Sequence, residues 1–381
     1  MKKILLILVV TGIFLAVGCN NTKPEENGIK IIEIDLDQAK RINTAEWFDS
    51  VQLVPLETTD QSLFSSAGSV ILNEDFIYLY DRKVRAILIF DHNTGKFIKS
   101  TSHLFGQGPN DYINILDFDI DKLTNDLIVL DIGSQKIKRY SADLDFINDH
   151  DIALSNLLST VFFKPISDEI FLLSNEHKEE EELVKVFSVK EQKIIEKICP
   201  IVMGVDAKKI SSPSFFYEID NQVCLYTRFP HSHIYHFDST KLEFTPKIEF
   251  RVKQNKSINI LPDQDDRYYT RKRNGEEDFA AIMNICENKR YYFTTIRYRT
   301  KSYHHIYDKE TGKSRIVDFE FLDIGELIPP KVIDDKAIYV FRDVSKIRPF
   351  YNLPSLDDKY KKMIENASED DNPFIIKLFL K

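Results

Sequence analysis

Phe76-Ile77-Tyr78-Leu79-Tyr80 is the first of six short apolar runs that recur roughly every fifty residues along the 381-residue chain. The others are Leu127-Ile128-Val129-Leu130, Ile170-Phe171-Leu172-Leu173, Val223-Cys224-Leu225-Tyr226, Tyr291-Tyr292-Phe293-Thr294 and Ala337-Ile338-Tyr339-Val340-Phe341. Each is too short for a helix and too continuously apolar for a strand with one wet face, so each reads as the same buried strand of a repeated unit. A second marker follows most of them: an alternating run that ends in an aromatic plus Asp or Ser, as in Ile89-Phe90-Asp91, Arg139-Tyr140-Ser141, Val186-Phe187-Ser188, Phe237-Asp238 and Ile306-Tyr307-Asp308. A turn and one more strand come next, with Gly95 and Gly312 supplying the positive φ of two short hairpins. The unit is a four-stranded antiparallel meander, and six of them predict an all-β, six-bladed β-propeller.

Both ends of the chain bear on closure. After Arg342 come Pro349, Pro354 and a stretch from Asp357 to Ala367 with Leu356, Tyr360 and Ile364 at helical spacing, then an apolar strand Phe374 to Leu380. Val51-Gln52-Leu53-Val54-Pro55-Leu56 alternates well enough to pair with the last blade, joining the N- and C-terminal strands and covering an edge. Asp35 to Arg41 is expected to hold a strand end and a helical turn. The longest interval between repeats marks an insertion at about 251–278. It contains Arg267-Tyr268-Tyr269-Thr270-Arg271-Lys272-Arg273, where charge and stacking could hold nucleic acid, against which an exported compartment argues, or an acidic sugar, or which pairs locally with Glu276, Glu277 and Asp278. Glu179 to Glu182 reads as a solvated hairpin tip.

The N-terminus reads Lys2-Lys3, an apolar stretch from Ile4 to Val17, then Gly18-Cys19. The apolar run is short for a bilayer span, and the small residues before Cys19 form a lipobox. Residues 1–18 are therefore expected to be a lipoprotein signal peptide, 19–28 a tether lipidated at Cys19, and 29–381 one propeller domain attached to the membrane through the lipid. Lys23-Pro24-Glu25-Glu26 resembles the lysine-plus-acidic export signal of surface-exposed lipoproteins, or is a solvated linker, and the expected location is the outer membrane, at the cell surface or the periplasmic leaflet. The net charge is −9, which excludes a general nucleic-acid binder. Beyond Cys19 only Cys199, Cys224 and Cys286 remain, without a C-x-x-C pair, so no disulfide framework is implied.

These residues resemble the six-bladed β-propeller lipoproteins of Bacteroidetes, relatives of NHL-type propellers, across nearly all of residues 29 to 381. The resemblance rests on Val54-Pro55-Leu56-Glu57-Thr58, on Gly106-Gln107-Gly108-Pro109-Asn110-Asp111-Tyr112, where Asp111 stands in place of the family's glutamate, and on Asn372-Pro373 before an apolar strand. It implies the fold and supplies no reaction.

Candidate binding residues follow from strand order. In a four-stranded meander, the turn from second to third strand and the link to the next blade emerge on one side of the disc, here termed the interblade face. Arg82, Arg228, Arg297 and Arg342 end second strands there, and Gln107 lies in a glycine-rich interblade link. They would form a rim for carboxylate or sulfate groups, which guanidinium binds bidentately; alternatively each arginine pairs with a nearby acid and knits blades together. His231 and His233 extend that rim. With His236 they make a weak metal set, since 231 and 233 share a strand face and 236 takes the other.

No nucleophile elbow, H-E-x-x-H, P-loop or dinucleotide motif is present. The expected function is non-enzymatic binding of a glycan fragment, an acidic small molecule or a partner envelope protein, with no cofactor and no metal site assigned. One alternative is a metal-dependent, lactonase-like hydrolase or lyase, which would place a divalent metal in the channel and recruit carboxylates such as Asp81, Asp117, Asp119 and Asp131. The other is a structural interaction scaffold.

Overall fold

The computed structural model describes residues 25–26, 28–40, 48–64, 67–157, 160–175, 182–200, 215–227, 232–255, 278–318, 337–352 and 356–380. The chain opens with β1 (Glu25–Glu26), β2 (Ile29–Ile34) and β3 (Phe48–Pro55), then enters the repeats. Blade one is β4 (Ala67–Leu72), β5 (Phe76–Asp81), β6 (Ala86–Asp91) and β7 (Phe97–Ser100). Blade two is β8 (Ile115–Ile120), β9 (Leu127–Asp131), β10 (Lys136–Tyr140) and β11 (Phe146–Asp151). Blade three is β12 (Thr160–Pro165), β13 (Ile170–Asn175), β14 (Glu182–Ser188) and β15 (Lys193–Pro200). Blade four is β16 (Phe215–Ile219), β17 (Gln222–Thr227), β18 (Ser232–Asp238) and β19 (Glu243–Val252). Blade five is β20 (Ala281–Glu287), β21 (Tyr291–Tyr298), β22 (Lys301–Asp308) and β23 (Ser314–Asp318). Blade six contains, among the described residues, β24 (Ala337–Arg342), β25 (Phe374–Leu380) and β3 as its outer strand.

All six recurrent runs are second strands, and burial explains why they are apolar on both sides. Every residue of β9 is buried, as is all of β5 after Phe76. Each blade packs both faces against neighbours, so the core divides into six clusters, one per seam. Ile71, Tyr78 and Ile87 meet Phe118, Val129 and Tyr140 between blades one and two; Val54, Tyr339 and Ile375 meet Leu72, Leu79 and Phe90 between blades six and one. The remaining four seams are built alike.

The Asp or Ser that ends the third strands caps the turn that follows. Asp91 accepts from Asn93 N at 3.1 Å and Thr94 N at 2.7 Å; Asp308 accepts from Glu310 N at 2.9 Å and Thr311 N at 3.0 Å. Gly95 and Gly312 take φ +71° and +69° in those turns, as the hairpin chemistry requires.

The expected pairing of the termini is present, with Val54 opposite Ile375 and Leu53 opposite Ile376. The segment before it travels further than its sequence indicates. β2 lies parallel on β19 as an added edge strand of blade four, Leu36–Gln38 forms a 3-10 turn, and Lys40 bridges Val317 of blade five. The N-terminal segment is thus a strap over the rims of blades four, five and six. The helix Asp358–Asn366 also lies where its spacing predicts, with Tyr360 and Ile364 buried.

His305, fully buried in β22, is held neutral. Thr294 Oγ1 lies 3.1 Å from its Nδ1 and Ser314 Oγ 3.0 Å from its Nε2, and burial pushes its pKa down to about 3. The folded value lies below the ordinary value of roughly 6.5, so this side chain stabilises the fold fully above that pH. Its contribution is lost as pH falls from there toward about 3, because only the unfolded chain takes up the proton. Urea midpoints measured across that window should fall less steeply in His305→Gln than in the wild type.

Candidate ligand cleft at the propeller axis

The first strands end, and turn into the second strands, on the face opposite the interblade links. There β8, β12 and β16 each bring a charged side chain to the axis near the strand end: Asp119, Lys164 and Glu218. Lys164 of blade three is buried, with Nζ 3.0 Å from Asp119 Oδ2 of blade two and 3.2 Å from Glu218 Oε2 of blade four. Burial acts to lower the Lys164 pKa, but the two carboxylates outweigh it and hold the ammonium above its ordinary range. Lys122 Nζ reaches Glu218 Oε1 at 3.1 Å, and Asn73 donates to Asn125 Oδ1 at 3.1 Å, so polar contacts tie blades one to four together around the axis.

These contacts floor a cavity of about 370 Å³ that blades one to four share. Its walls combine Ile71, Leu72 and Phe216 with Asn73, Lys122 and Asp220. A second cavity of about 410 Å³ shares Lys122, Lys164 and Glu218 with the first and runs outward between blades two and three to His150. Arg139 lies along it, held by Asp121 at 2.7 Å, Asp126 at 2.8 Å and Asp168 at 2.5 Å. Burial acts to lower its pKa and the carboxylates, Asp126 foremost, raise it, so the guanidinium is charged and fully committed. The axial cleft therefore offers apolar walls with a few fixed donors and acceptors, the make-up of a small-molecule site. Glu74, Asp75 and Asp220 make its rim acidic.

Of the residues singled out from sequence, Asp119 lines this cleft, and the candidates for the binding rim lie elsewhere. Arg82, Gln107 and Arg297 are exposed on the interblade face, and among the described residues no carboxylate lies within 4.0 Å of either guanidinium. Arg342 is only 7% exposed and donates from Nη1 to Phe341 O at 3.1 Å. His233 is buried 3.9 Å from Glu249 Oε2, while His236 is half-buried with its pKa lowered by burial. Arg228, His231, Cys19 and most of the insertion, residues 256–277, fall outside the described residues. Among those described, no three His, Cys, Asp or Glu side chains gather as a metal set.

The other three acidic candidates have structural roles. Asp81 caps Lys83 N and Val84 N, at 2.7 and 3.1 Å, and Asp131 accepts from Ile113 N, Asn114 N and Gly133 N at 2.8 to 3.0 Å. Asp117 accepts from Phe163 N of the next blade at 3.1 Å. The glycines of the interblade link make room for Asp111, whose carboxylate turns inward and accepts from Gly108 N at 2.9 Å; a methyl group at Gly106 or Gly108 would collide with it. Tyr112 is buried between blades, its hydroxyl 2.9 Å from Arg85 O and 3.0 Å from Thr101 O.

Fold and cleft together define a six-bladed β-propeller with an axial cavity on the face opposite its interblade links. The chain belongs to the family described as domain of unknown function DUF4934, which matches residues 29–379. Among solved structures it is similar to a putative exported protein of Bacteroides fragilis, at 19% identity and TM-score 0.71 over 92% of this chain and 100% of that one. A member of the DUF4221 family from Bacteroides vulgatus matches at 11% identity and TM-score 0.48, over 88% and 97% of the two chains. Virginiamycin B lyase from Staphylococcus aureus matches at 10% identity and TM-score 0.41, over 86% and 99%. The first likeness is one of fold, and the other two are too remote to carry an argument. Comparison with curated proteins gives no match.

Proposed function

We propose that this protein is a lipid-anchored envelope propeller that binds a glycan fragment or similar hydroxyl-rich small molecule in its axial cleft. The observation that carries this is the buried Asp119–Lys164–Glu218 bridge, which fixes polar groups from three blades at the floor of a cavity of about 370 Å³ with apolar walls. Sugars present hydroxyls and C–H faces together, and such a lining meets both. The lipobox at Cys19 and the likeness to a putative exported protein of Bacteroides fragilis support an envelope location. Loss of radiolabelled palmitate in Cys19→Ala is the expected sign of the anchor.

A second reading keeps the site on the interblade face, because the Arg82 and Arg297 guanidiniums are exposed without a carboxylate partner among the described residues. That site would take carboxylate or sulfate groups. A glycan array followed by calorimetry distinguishes the two. Binding lost in Lys122→Ala and Asp220→Asn but kept in the Arg82→Ala, Arg297→Ala pair supports the cleft. The reverse pattern moves the site to the arginines, and no binding to any glycan overturns both.

A further inference from the structure

Nine large apolar side chains remain exposed among the described residues, and six of them lie on the interblade face: Leu63, Val84, Phe105, Ile113, Leu154 and Met363. They stand on separate turns and links of blades six, one and two. The densest part surrounds the β5–β6 turn, where Val84, Phe105 and Ile113 are 44%, 41% and 36% exposed. Arg82, Lys83 and Arg85 are exposed beside them, and among the described residues none has a carboxylate within 4.0 Å. The Arg85 guanidinium sits 5.4 Å from the Phe105 ring centroid, so charge and apolar surface are presented as one unit. The nearby acids do not offset the cations at the surface. Asp81 and Asp131 are buried against backbone amides, and Asp111 folds into its own link.

We propose that this face of blades one and two binds an anionic lipid surface. Apolar tips flanked by cations partition into the boundary between headgroups and acyl chains, the tips by desolvation and the cations by attraction to the headgroup charge. A fluid surface accommodates points scattered over several loops, whereas a folded partner would need matching pockets at each one. The strap supplies a second reason. β1 and β2 lie on the rim of blade four, across the ring from blade one, and the stretch from Cys19 to β1 extends at most about 20 Å. A lipid at Cys19 and the patch on blade one would then hold the disc at two opposite points, with the axial cleft facing away from the membrane. The patch itself does not depend on the lipid, so its test removes it.

The chain from Asn20, which retains every described element, is sedimented with vesicles of mixed phosphatidylethanolamine and phosphatidylglycerol and, separately, of phosphatidylcholine alone. The expected result is partition into the anionic vesicles only, weakened by salt and lowered roughly 100-fold in the Arg82→Gln, Lys83→Gln, Arg85→Gln triple variant. Val84→Ser with Phe105→Ser should lower it further at high salt, where apolar burial dominates. Equal partition into both vesicle types, no partition, or an unaltered triple variant overturns the proposal. Capture by soluble polyglutamate, with the Val84→Ser, Phe105→Ser variant unaffected on vesicles, also overturns it and assigns the patch to an acidic protein.

Discussion

Lys164→Ala is expected to lower the free energy of unfolding by about 3–5 kcal/mol, the usual cost of breaking a buried ion pair from one side. Lys164 is 8% exposed and Asp119 7%, so the Asp119 oxygen facing the lost ammonium cannot recover full hydration, while the less buried Glu218 keeps Lys122 as a partner. The cost comes from stranded charge more than from lost attraction. Removing the charges together therefore behaves differently: the triple variant Asp119→Asn, Lys164→Met, Glu218→Gln should regain most of the stability lost in the single variant. Urea unfolding of the three proteins checks this, and a Lys164→Ala midpoint equal to the wild type would remove the bridge as the organiser of the cleft. The pair Arg299–Asp278 is the internal contrast, since both side chains are more than half exposed and its loss should leave the midpoint nearly unchanged.

The same bridge shows what sequence reading could reach. The six second strands were legible because a strand buried on both faces must be apolar at every position, which leaves a run that stands out at any period. The Asp and Ser at the ends of third strands were legible because each caps a turn at a fixed offset. First strands carry a weaker signal. Their ends line the axis and admit polar residues, so β8 reads Ile115-Leu116-Asp117-Phe118-Asp119-Ile120 and has no clean alternation of apolar and polar. Lys164 and Glu218 look like lone charges, and Asp119 like one of a pair with Asp117, until the blades are superposed. One charge near the end of the first strand in three successive repeats is the pattern that identifies them. The candidate rim of arginines came from second strands for the opposite reason, since those strand ends were the ones located with most certainty.

Edge pairing is where sequence gives least, and the strap shows why. Ile29-Lys30-Ile31-Ile32-Glu33-Ile34 would suit almost any open sheet edge. Only the length of chain between it and β3, set against the blades it must pass, brings it to blade four. β3 was more legible because the ring leaves one place for a strand just ahead of blade one: beside the last strand of the chain.

That place makes β3 the most costly element to remove. A chain that begins at Glu57 should fail to form the closed ring, giving broad, non-cooperative unfolding and association on size-exclusion chromatography. β3 and the residue after it bury Phe48, Val51, Leu53, Val54 and Leu56 to 5% exposure or less. At roughly 1.5–3 kcal/mol each their burial amounts to about 10 kcal/mol, comparable to the whole stability of a typical domain. Loss of β3 also bares β25, an apolar strand from Phe374 to Leu380, as an open edge that invites pairing between chains. A chain that begins at residue 41 keeps β3 and should still close, because blade four retains its own four strands without β2. A peptide spanning 46–57 added to the shorter chain should restore a soluble monomer by occupying the vacant edge. The junction can be tested without deleting a strand. Glu57 N donates to Gly95 O at 2.9 Å and Phe97 N to Glu57 Oε2 at 2.8 Å, so the β6–β7 turn of blade one clasps the end of β3. Gly95 has φ +71°, and a methyl group there would strike the Pro55 carbonyl, so Gly95→Ala should lower the Tm in the same direction as truncation. If the chain from Glu57 unfolds as sharply and as late as the full protein, closure resides in the seams between blades rather than in the shared strand.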